Sequence, residues 1–175
     1  MIKVVKLCYC STAVNFITNH YMRPDILQFM PDNCRDGFWL HKHIEGLRTG
    51  QKFFYVPTLG DAEPIGLFNA YWLNASIMEV HQGVHQEYRK GWSIPAAKAC
   101  MEECTKDNHP KFYMGLTPVT YPGAIMVAIK CGFRRQGIFP KYLSLNGERV
   151  DVQILVKENG TVSDERGGSP QQNND

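Results

Sequence analysis

A short basic stretch in the middle of the chain has the residue types of an anion site. Arg89, Lys90 and Gly91 stand between an alternating, strand-like run and an amphipathic helix predicted over 94–107. A helix N-terminus carries about half a unit of positive charge and unpaired N–H groups, which suit phosphate oxygens. Arg89 and Lys90 would add mobile positive charge, and Gly91 lets the backbone approach a ligand closely. The stretch predicts an anion-binding turn, although an ordinary solvated turn before a capped helix has the same composition.

A glycine inside the preceding strand points to the same region. Gly83 interrupts the run 76–84, and a strand glycine weakens pairing unless a bulge or a closely approaching group requires the missing side chain. Main-chain groups from Val84 to Gln86 would then be exposed, and an extended ligand could pair with them as an added strand. A plain sheet bulge is the alternative.

Two polar residues of the same strand are candidates for a general base. Glu79 and His81 alternate with Met78 and Val80, so they share one strand face with Gly83. Histidine titrates near neutral pH, whereas a glutamate would need its pKa raised by burial to do so. The alternative for each residue is an exposed polar position on a half-buried sheet.

The elements that must position these residues are mostly strands. Aromatic and β-branched runs at 52–59, 64–73 and 76–84, separated by short turns, predict an antiparallel meander. Further strands are predicted at 1–9 and 111–117. The last two strands flank Asn146 and Gly147, a strong hairpin signal.

Helices are predicted between and beside these strands. The first covers 11–20 with Ser11 or Thr12 as N-cap, and the second is a short helix at 25–30. The stretch 38–50 is expected to be irregular or partly helical. Ser93 is the expected N-cap of the helix at 94–107, and a final helix at 123–131 is apolar all round and should be buried on both sides.

Composition sets the limits within which these elements fold. The chain has 175 residues, 43% hydrophobic composition and a formal net charge of +2, which favour one mixed α/β domain over 1–157. The remaining 158–175 lack large apolar residues and are expected to form a disordered tail. The small net charge argues against nucleic acid as a partner.

Other classes of protein are excluded by what the sequence does not contain. No apolar run is long enough to span a membrane, and no cleavage site follows the apolar start, so a cytoplasmic protein is expected. The six cysteines lack zinc-site spacing, so reduced, buried thiols and no metal are expected.

Two motifs, in the middle and the second half of the chain, resemble the GCN5-related N-acetyltransferase (GNAT) superfamily. "VHQEYRKGWS" resembles the segment in which the family's fourth strand enters its pyrophosphate-binding loop, and "IKCGFRRQG" resembles the signature after its fourth helix. "LNGERVDVQIL" resembles its final hairpin. The resemblance covers 1–157 and implies a GNAT fold, with a mostly antiparallel central sheet flanked by helices and with the family's strands four and five splayed apart.

The resemblance also implies a chemistry, namely acyl transfer from acetyl-CoA or another acyl-CoA to an amine. The catalytic candidates are Glu79 and His81 as base and Tyr121 as the acid that protonates the departing thiolate. The alternative for Tyr121, which lies between Pro118 and Pro122, is a packed aromatic residue of a loop. Main-chain N–H groups near Val84 would stabilise the thioester oxygen. The residues expected to bind the cofactor are Val84, His85, Gln86, Arg89, Lys90, Gly91, Trp92 and Ser93.

A second hypothesis keeps the fold but not the activity. Tyr88 and Ser93 depart from the family's pyrophosphate loop, and Ala128 stands where many members carry the acidic tyrosine. "TNHYMRPDI" resembles GNAT-type proteins of tailed bacteriophages, some grouped with internal virion proteins. The alternative is therefore a structural or interaction protein of a phage particle, located in the host cytoplasm or virion. The acceptor is not readable, and a homodimer is one option left open.

Overall fold

An eight-stranded sheet with helices on both faces forms the domain. The computed structural model describes residues 1–35, 37–61 and 63–160. The strands are β1 (Ile2–Lys6), β2 (Lys52–Leu59), β3 (Glu63–Pro64), β4 (Gly66–Trp72), β5 (Ile77–Val84), β6 (Phe112–Pro118), β7 (Arg134–Leu145) and β8 (Glu148–Glu158). The helices are α1 (Ser11–Tyr21), α2 (Pro24–Leu27), α3 (Gly37–Arg48), α4 (Gln86–Asn108) and α5 (Pro122–Lys130).

The strand order confirms the predicted meander and the mixed α/β class. Neighbouring strands follow the order β1-β2-β4-β5-β6-β8-β7, with the short β3 paired to β2. Every pairing is antiparallel except that of β5 with β6. The long α4 connects these two strands as a crossover, which is what a parallel neighbour requires.

Two apolar layers hold the helices to the sheet. Alternation along β2 sends Phe54 towards α1, α2 and α3, and Tyr55 towards α4 and α5. Both aromatic side chains are completely buried. The buried thiols of Cys100 and Cys104 lie in the second layer, as expected, whereas Cys8 and Cys10 are exposed.

Two helices differ in detail from the expectation. The stretch expected to be irregular or partly helical forms the regular helix α3, because Trp39, His43 and Leu47 recur at four-residue spacing and face the first apolar layer. The N-cap of α1 is Cys10, whose Sγ accepts from the Ala13 N–H. A polar residue within an apolar stripe weakens the periodic signal, which is why the sequence predicts α3 only in part.

The helix α5 is less buried than its composition indicates. Only Ile125 is classed as fully buried, and Met126 is 47% exposed. One face of α5 packs on the second apolar layer, and no described element covers the other face. The apolar composition therefore does not mean burial on both sides here.

The hairpin between β7 and β8 forms where it was predicted. Asn146 and Gly147 both have positive φ, 52° and 82°, as a two-residue turn of this kind requires. The Asp32 carboxylate accepts hydrogen bonds from both of their N–H groups and from the Ser144 hydroxyl. The hairpin tip is thereby fastened to the segment that follows α2.

The end of the domain lies slightly beyond the expected boundary. Glu158 is the last residue of β8, and the Asn159 N–H donates to the Lys111 carbonyl at 2.9 Å. The rest of the expected tail, 161–175, lies outside the described residues. In the described ranges, no helix is both long and apolar enough to cross a membrane.

Candidate functional site

The sheet opens between β5 and β6. The two strands pair from Ile77↔Phe112 to Glu79↔Met114, and the described register goes no further. Beyond that point β5 stays paired with β4 as far as Val84, and β6 stays paired with β8 as far as Pro118. The strands therefore diverge into a wedge-shaped opening in the middle of the sheet, which confirms the expected splay.

Alternate main-chain groups of β5 line this opening. At the two ends of β5, odd-numbered residues make the main-chain hydrogen bonds to the segment of β4. The Ile77 carbonyl accepts from the Leu73 N–H, and the His85 N–H donates to the Ile65 carbonyl. Because an antiparallel ladder uses alternate residues, the main-chain groups of Val80, Gln82 and Val84 point to the other side, into the opening. An extended ligand placed there could pair with β5 as an added strand.

The turn at the end of β5 brings a helix start to the mouth of the opening. The helical turn that begins α4 is interrupted at Lys90, with ψ of 108°, and at Gly91, with φ of 97°. Only glycine adopts such a φ without strain, which accounts for Gly91. The Gln82 side chain donates to the Ser93 carbonyl at 3.2 Å and ties the main part of α4 to β5.

Ser93 does not cap the helix as expected. Its hydroxyl donates to the Arg89 carbonyl at 2.9 Å, because the helix already starts before it, at the break. Tyr88, the other departure from the family's loop, donates its hydroxyl to Glu63. Lys90 is exposed and Trp92 is half-buried beside the break.

Arg89 is held in place, contrary to the expectation of a mobile charge. Its Nε donates to the Val84 carbonyl at 3.0 Å, and its Nη2 reaches both the carbonyl and the carboxylate of Asp25. Its guanidinium also lies 4.9 Å from the ring centre of Phe29. Arg89 therefore joins the end of β5 to the segment around α2.

Asp25 fastens the same turn from the other side. Its Oδ2 accepts from the Gln86 N–H at 2.7 Å, and its Oδ1 accepts from Arg23 Nε at 2.9 Å. Burial raises the pKa of Asp25, but the Gln86 N–H and the two neighbouring guanidinium groups lower it further, so it stays ionised. The main-chain N–H of Gln86 is thus engaged, and so is that of His85, which donates to Ile65. Of the main-chain groups expected to be exposed at 84–86, the Val84 N–H is the one that faces the opening.

Gly83 makes room for a histidine, and neither a bulge nor a cofactor explains it. The register at Leu67↔Gly83 is regular, and a Cβ at position 83 would lie 2.7 Å from His20 Nε2. The other nitrogen of His20 bonds the His85 imidazole at 3.1 Å, with both rings buried. His85 therefore faces α1, not the opening, and it packs the strand end beneath α1.

We expect Gly83→Ala to lower the free energy of unfolding by about 1–3 kcal/mol, because the added methyl overpacks a buried ring that cannot move without breaking its bond to His85. Urea unfolding measures the change. Gly115→Ala in β6 is the matched control, since its Cβ would lie 4.0 Å from Leu155. Equal losses in the two variants would contradict the close approach.

Acid should destabilise the fold through two buried histidines. Burial lowers the pKa of His20 to about 3, with help from His85 and Arg23, and burial together with the Lys52 charge lowers the pKa of His43 to about 3. The unfolded chain protonates these histidines first, below about pH 6.5. The free energy of unfolding should then fall by about 1.4 kcal/mol per histidine for each pH unit, until about pH 3.

This pH dependence can be checked by urea unfolding between neutral pH and about pH 5, the range in which histidine titration dominates. His20→Gln should make the slope smaller, whereas His41→Gln, at an exposed position of α3, should leave it unchanged. An unaltered slope in His20→Gln would show that other groups cause the acid sensitivity.

Glu79 and His81 share one face of β5, as predicted, and they bond to each other. His81 Nε2 lies 2.8 Å from Glu79 Oε1, and the side chains are 42% and 9% exposed. Because a carboxylate only accepts, the proton of a neutral His81 imidazole resides on Nε2 and the lone pair on Nδ1. Glu79 thus orients an imidazole that solvent can reach.

The environment of Glu79 keeps its carboxylate ionised. Burial raises its pKa, but hydrogen bonds from His81 and Tyr71 and the charge of Lys52 together bring the pKa below its ordinary value. Glu79 would need a raised pKa to titrate near neutral pH, and its pKa is lowered instead. His81 is therefore the better placed of the two to exchange a proton with a ligand.

Tyr121 lies apart from this pair. It is the N-cap of α5, half-buried, with its ring edge-on to Phe29 at a centroid distance of 5.0 Å. Burial raises the pKa of Tyr121, with Arg35 opposing, so the phenol is protonated. No hydrogen bond in the described part of the chain joins it to Glu79 or His81.

Several residues of this region were not singled out from the sequence. Asp25 and His20 reach the turn from α1 and α2, more than sixty residues away along the chain. Lys52 acts on Glu79 through its charge, from β2. Its only sequence signal was polar character at a position of a strand face that alternation assigns to one side. Among the described residues, no group of His, Cys, Asp and Glu is placed to hold a metal ion.

Solved structures similar to this one are acetyltransferases. Spermidine N-acetyltransferase from Vibrio cholerae, in complex with CoA and spermine, has a TM-score of 0.75 at 16% identity over 89% of this chain and 95% of that chain. Ribosomal-protein-S5-alanine acetyltransferase from Vibrio fischeri has a TM-score of 0.73 at 20% identity, covering 91% and 93%. The sequence matches no protein-family model and no curated protein.

The strand order, the opening between β5 and β6 and these similarities define the fold. The chain has the GNAT fold, as the two sequence motifs indicated. In the family's terms, β5 is the fourth strand and β6 is the fifth.

Proposed function

We propose that this protein is an acyl-CoA-dependent N-acyltransferase that transfers an acetyl group from acetyl-CoA to an amine. The observation that carries the proposal is the opening between β5 and β6, which ends beside Gly91 and the start of the main part of α4. A CoA ester needs both features. Its amide arm pairs with strand main-chain groups, and its pyrophosphate suits a positively polarised helix start.

The similar structures support this donor and this type of acceptor. The Vibrio cholerae structure holds CoA and spermine, an amine, and the Vibrio fischeri protein is named for an alanine of a ribosomal protein. Both similarities lie at or below 20% identity and establish the fold alone. The acceptor of this chain has to be argued from its own residues.

The residues around the opening fit a CoA ester. The main-chain groups of Val80 and Gln82 and the N–H of Val84 are oriented to pair with an extended amide chain. Exposed Lys90 adds positive charge next to Gly91. We assign Arg89 a positioning role, because its bonds to Val84 and Asp25 hold the end of β5 and leave less of the guanidinium for phosphate.

The pair formed by Glu79 and His81 would supply the proton transfer. An amine must lose a proton to attack the thioester carbonyl carbon, and His81 Nδ1 has the lone pair to accept it. The ionised Glu79 carboxylate stabilises the imidazolium that forms. The new C–N bond forms, the C–S bond breaks, and the Val84 N–H would stabilise the charge on the thioester oxygen.

Protonation of the departing thiolate has a less definite source. Ala128 has no proton to give, and Tyr121 is a protonated phenol on the segment after β6. We propose Tyr121 or solvent for this step. The remaining candidates, His85, Gln86, Trp92 and Ser93, would shape the turn more than contact the donor, since the first two are engaged elsewhere.

A second candidate function is a structural or interaction protein of a bacteriophage particle. It is favoured by Ala128 and by the engagement of Arg89, which leaves the turn with fewer mobile donors than a well-formed loop. In this second candidate function, the opening between β5 and β6 would belong to the fold without binding a CoA ester.

Calorimetric titration with acetyl-CoA separates the two candidates. The proposal expects a dissociation constant in the micromolar to low millimolar range, as KM values of such enzymes typically are, about 1 μM to 1 mM. It also expects thiol release when an amine is added. No heat of binding at millimolar acetyl-CoA would overturn the enzymatic proposal and leave the structural one.

A further inference from the structure

A half-buried lysine lies under α3 on the same sheet face as Glu79 and His81. The Lys52 stem packs on Gly46 so closely that a Cβ there would lie 2.7 Å from Lys52 Cγ. Its Nζ lies 3.2 Å from His43 Nε2 and 4.7 Å from the ring centre of Tyr71. The ammonium is therefore fixed between two rings and α3.

This ammonium lacks a direct counter-ion. The ion pairs of the described residues include no carboxylate within 4.0 Å of Lys52. Burial lowers the pKa of Lys52 to about 8, although the Glu79 charge opposes the shift. His43, whose pKa is lowered to about 3, is uncharged at neutral pH. A charge placed in such surroundings is costly unless an anion compensates it. At neutral pH the site carries a positive charge that an anionic ligand would satisfy.

A second polar atom on this face also lacks a partner. Asn69 is 3% exposed, and its Nδ2 donates to the Tyr21 hydroxyl at 2.6 Å. Its Oδ1 is buried and has no hydrogen-bond partner among the described residues. Buried carbonyl oxygens almost always accept a bond, so this atom is an acceptor next to the His81 position that no described residue uses. Asn69 is the cross-strand partner of His81.

The Lys52 ammonium and the Asn69 side chain lie in adjacent rows of one surface. Lys52, Tyr71 and Glu79 are successive cross-strand partners on β2, β4 and β5. Neighbouring strands are about 4.8 Å apart, so this row spans about 10 Å. The Tyr71 ring stands in the middle, stacked on His81 at 5.9 Å on one side and facing the Lys52 ammonium on the other.

Resting on the proposed acyl transfer, we propose that the acceptor is a primary amine that carries a carboxylate or other anionic group several bonds away. Its nitrogen would lie at His81, the cross-strand partner of Asn69, and its anionic group at Lys52. Because the row spans about 10 Å, it favours an acceptor whose amine and carboxylate are at opposite ends of the molecule over a compact amino acid. Polyamines such as the spermine bound by the Vibrio cholerae protein would bring a second ammonium towards Lys52, which like charges disfavour.

Three acceptors of matched length test this inference. They are 6-aminohexanoate, 6-aminohexanamide and 1,6-diaminohexane, which end in a carboxylate, a neutral amide and an ammonium. With saturating acetyl-CoA at neutral pH, kcat/KM for thiol release should fall in that order. The carboxylate should exceed the amide by about 10-fold, because charge-assisted hydrogen bonds are roughly twice as strong as neutral ones.

Lys52→Met keeps the packed stem and removes the charge, so it should reduce the ratio of carboxylate to amide to near unity. Lys42→Met is the matched control, since its ammonium lies over the exposed ring of Phe38 on α3, and it should preserve the ratio. Thermal melting verifies that both variants fold.

The outcomes distinguish this inference from the proposed function. Equal kcat/KM for the three amines, or an unchanged ratio in Lys52→Met, overturns the anionic acceptor while acyl transfer stands. Binding of acetyl-CoA without thiol release from any of the three amines also overturns it. Absence of acetyl-CoA binding overturns the proposed function itself.

Discussion

The His81→Ala variant is expected to lose about 10²- to 10⁴-fold in kcat for thiol release, the usual contribution of a general base. His81 is the one member of its pair with a solvent-reachable nitrogen lone pair, since Nε2 is committed to Glu79 at 2.8 Å. The acetyl-CoA dissociation constant should not change, because the His81 side chain lies on the α1–α3 face and not along the β5 edge. Thiol release with the fastest amine of a panel gives kcat, and calorimetry gives the dissociation constant.

Two further variants sharpen this prediction. Glu79→Gln should lower kcat less than His81→Ala, because it leaves the imidazole in place and removes only the charge that stabilises the imidazolium. His41→Ala, an exposed histidine on α3, should leave kcat unchanged. If Glu79→Gln abolishes turnover and His81→Ala retains it, Glu79 is the base and His81 only packs against Tyr71.

The second large effect is expected from Gly91→Asp, which should weaken acetyl-CoA binding by about 100-fold or more. Residues with a side chain rarely adopt a φ such as the 97° of Gly91, and the backbone strain costs them about 1–3 kcal/mol. The new carboxylate would also repel the pyrophosphate at the helix start. Calorimetric titration measures the loss.

Control variants separate the two causes. Gly91→Ala adds the strain without the charge, and it should lose less affinity than Gly91→Asp. Gly60→Asp places the same side chain at another positive-φ glycine, φ 62°, in a turn after β2, with open space around its Cβ as at Gly91. It should leave affinity unchanged. Wild-type affinity in Gly91→Asp would place the phosphates elsewhere.

Local patterns were sufficient for most of the elements. Alternation in 52–84 predicted the meander, and Asn146 with Gly147 predicted the hairpin, because these signals depend on residues next to each other in the chain. The family motifs predicted the splay between β5 and β6. Alternation also placed Glu79 and His81 on one face.

Contacts between distant segments could not be predicted in this way. Arg89 reads from the sequence as a mobile charge, yet Asp25 from α2 and the Val84 carbonyl hold it. Gly83 reads as a bulge, yet His20 from α1 requires the missing side chain. Each contact depends on how α1 and α2 dock on the sheet.

By itself the sequence determined the order of strands and helices, the positive-φ turn at Gly91 and the shared face of Glu79 and His81, because backbone preference and side-chain alternation act over a few residues. Only the tertiary structure decided that His81 is the better proton acceptor and that Lys52 forms no ion pair with a carboxylate of the described residues. The protonation and pairing of these groups depend on burial and on charges brought from other strands and helices, and folding alone creates those surroundings.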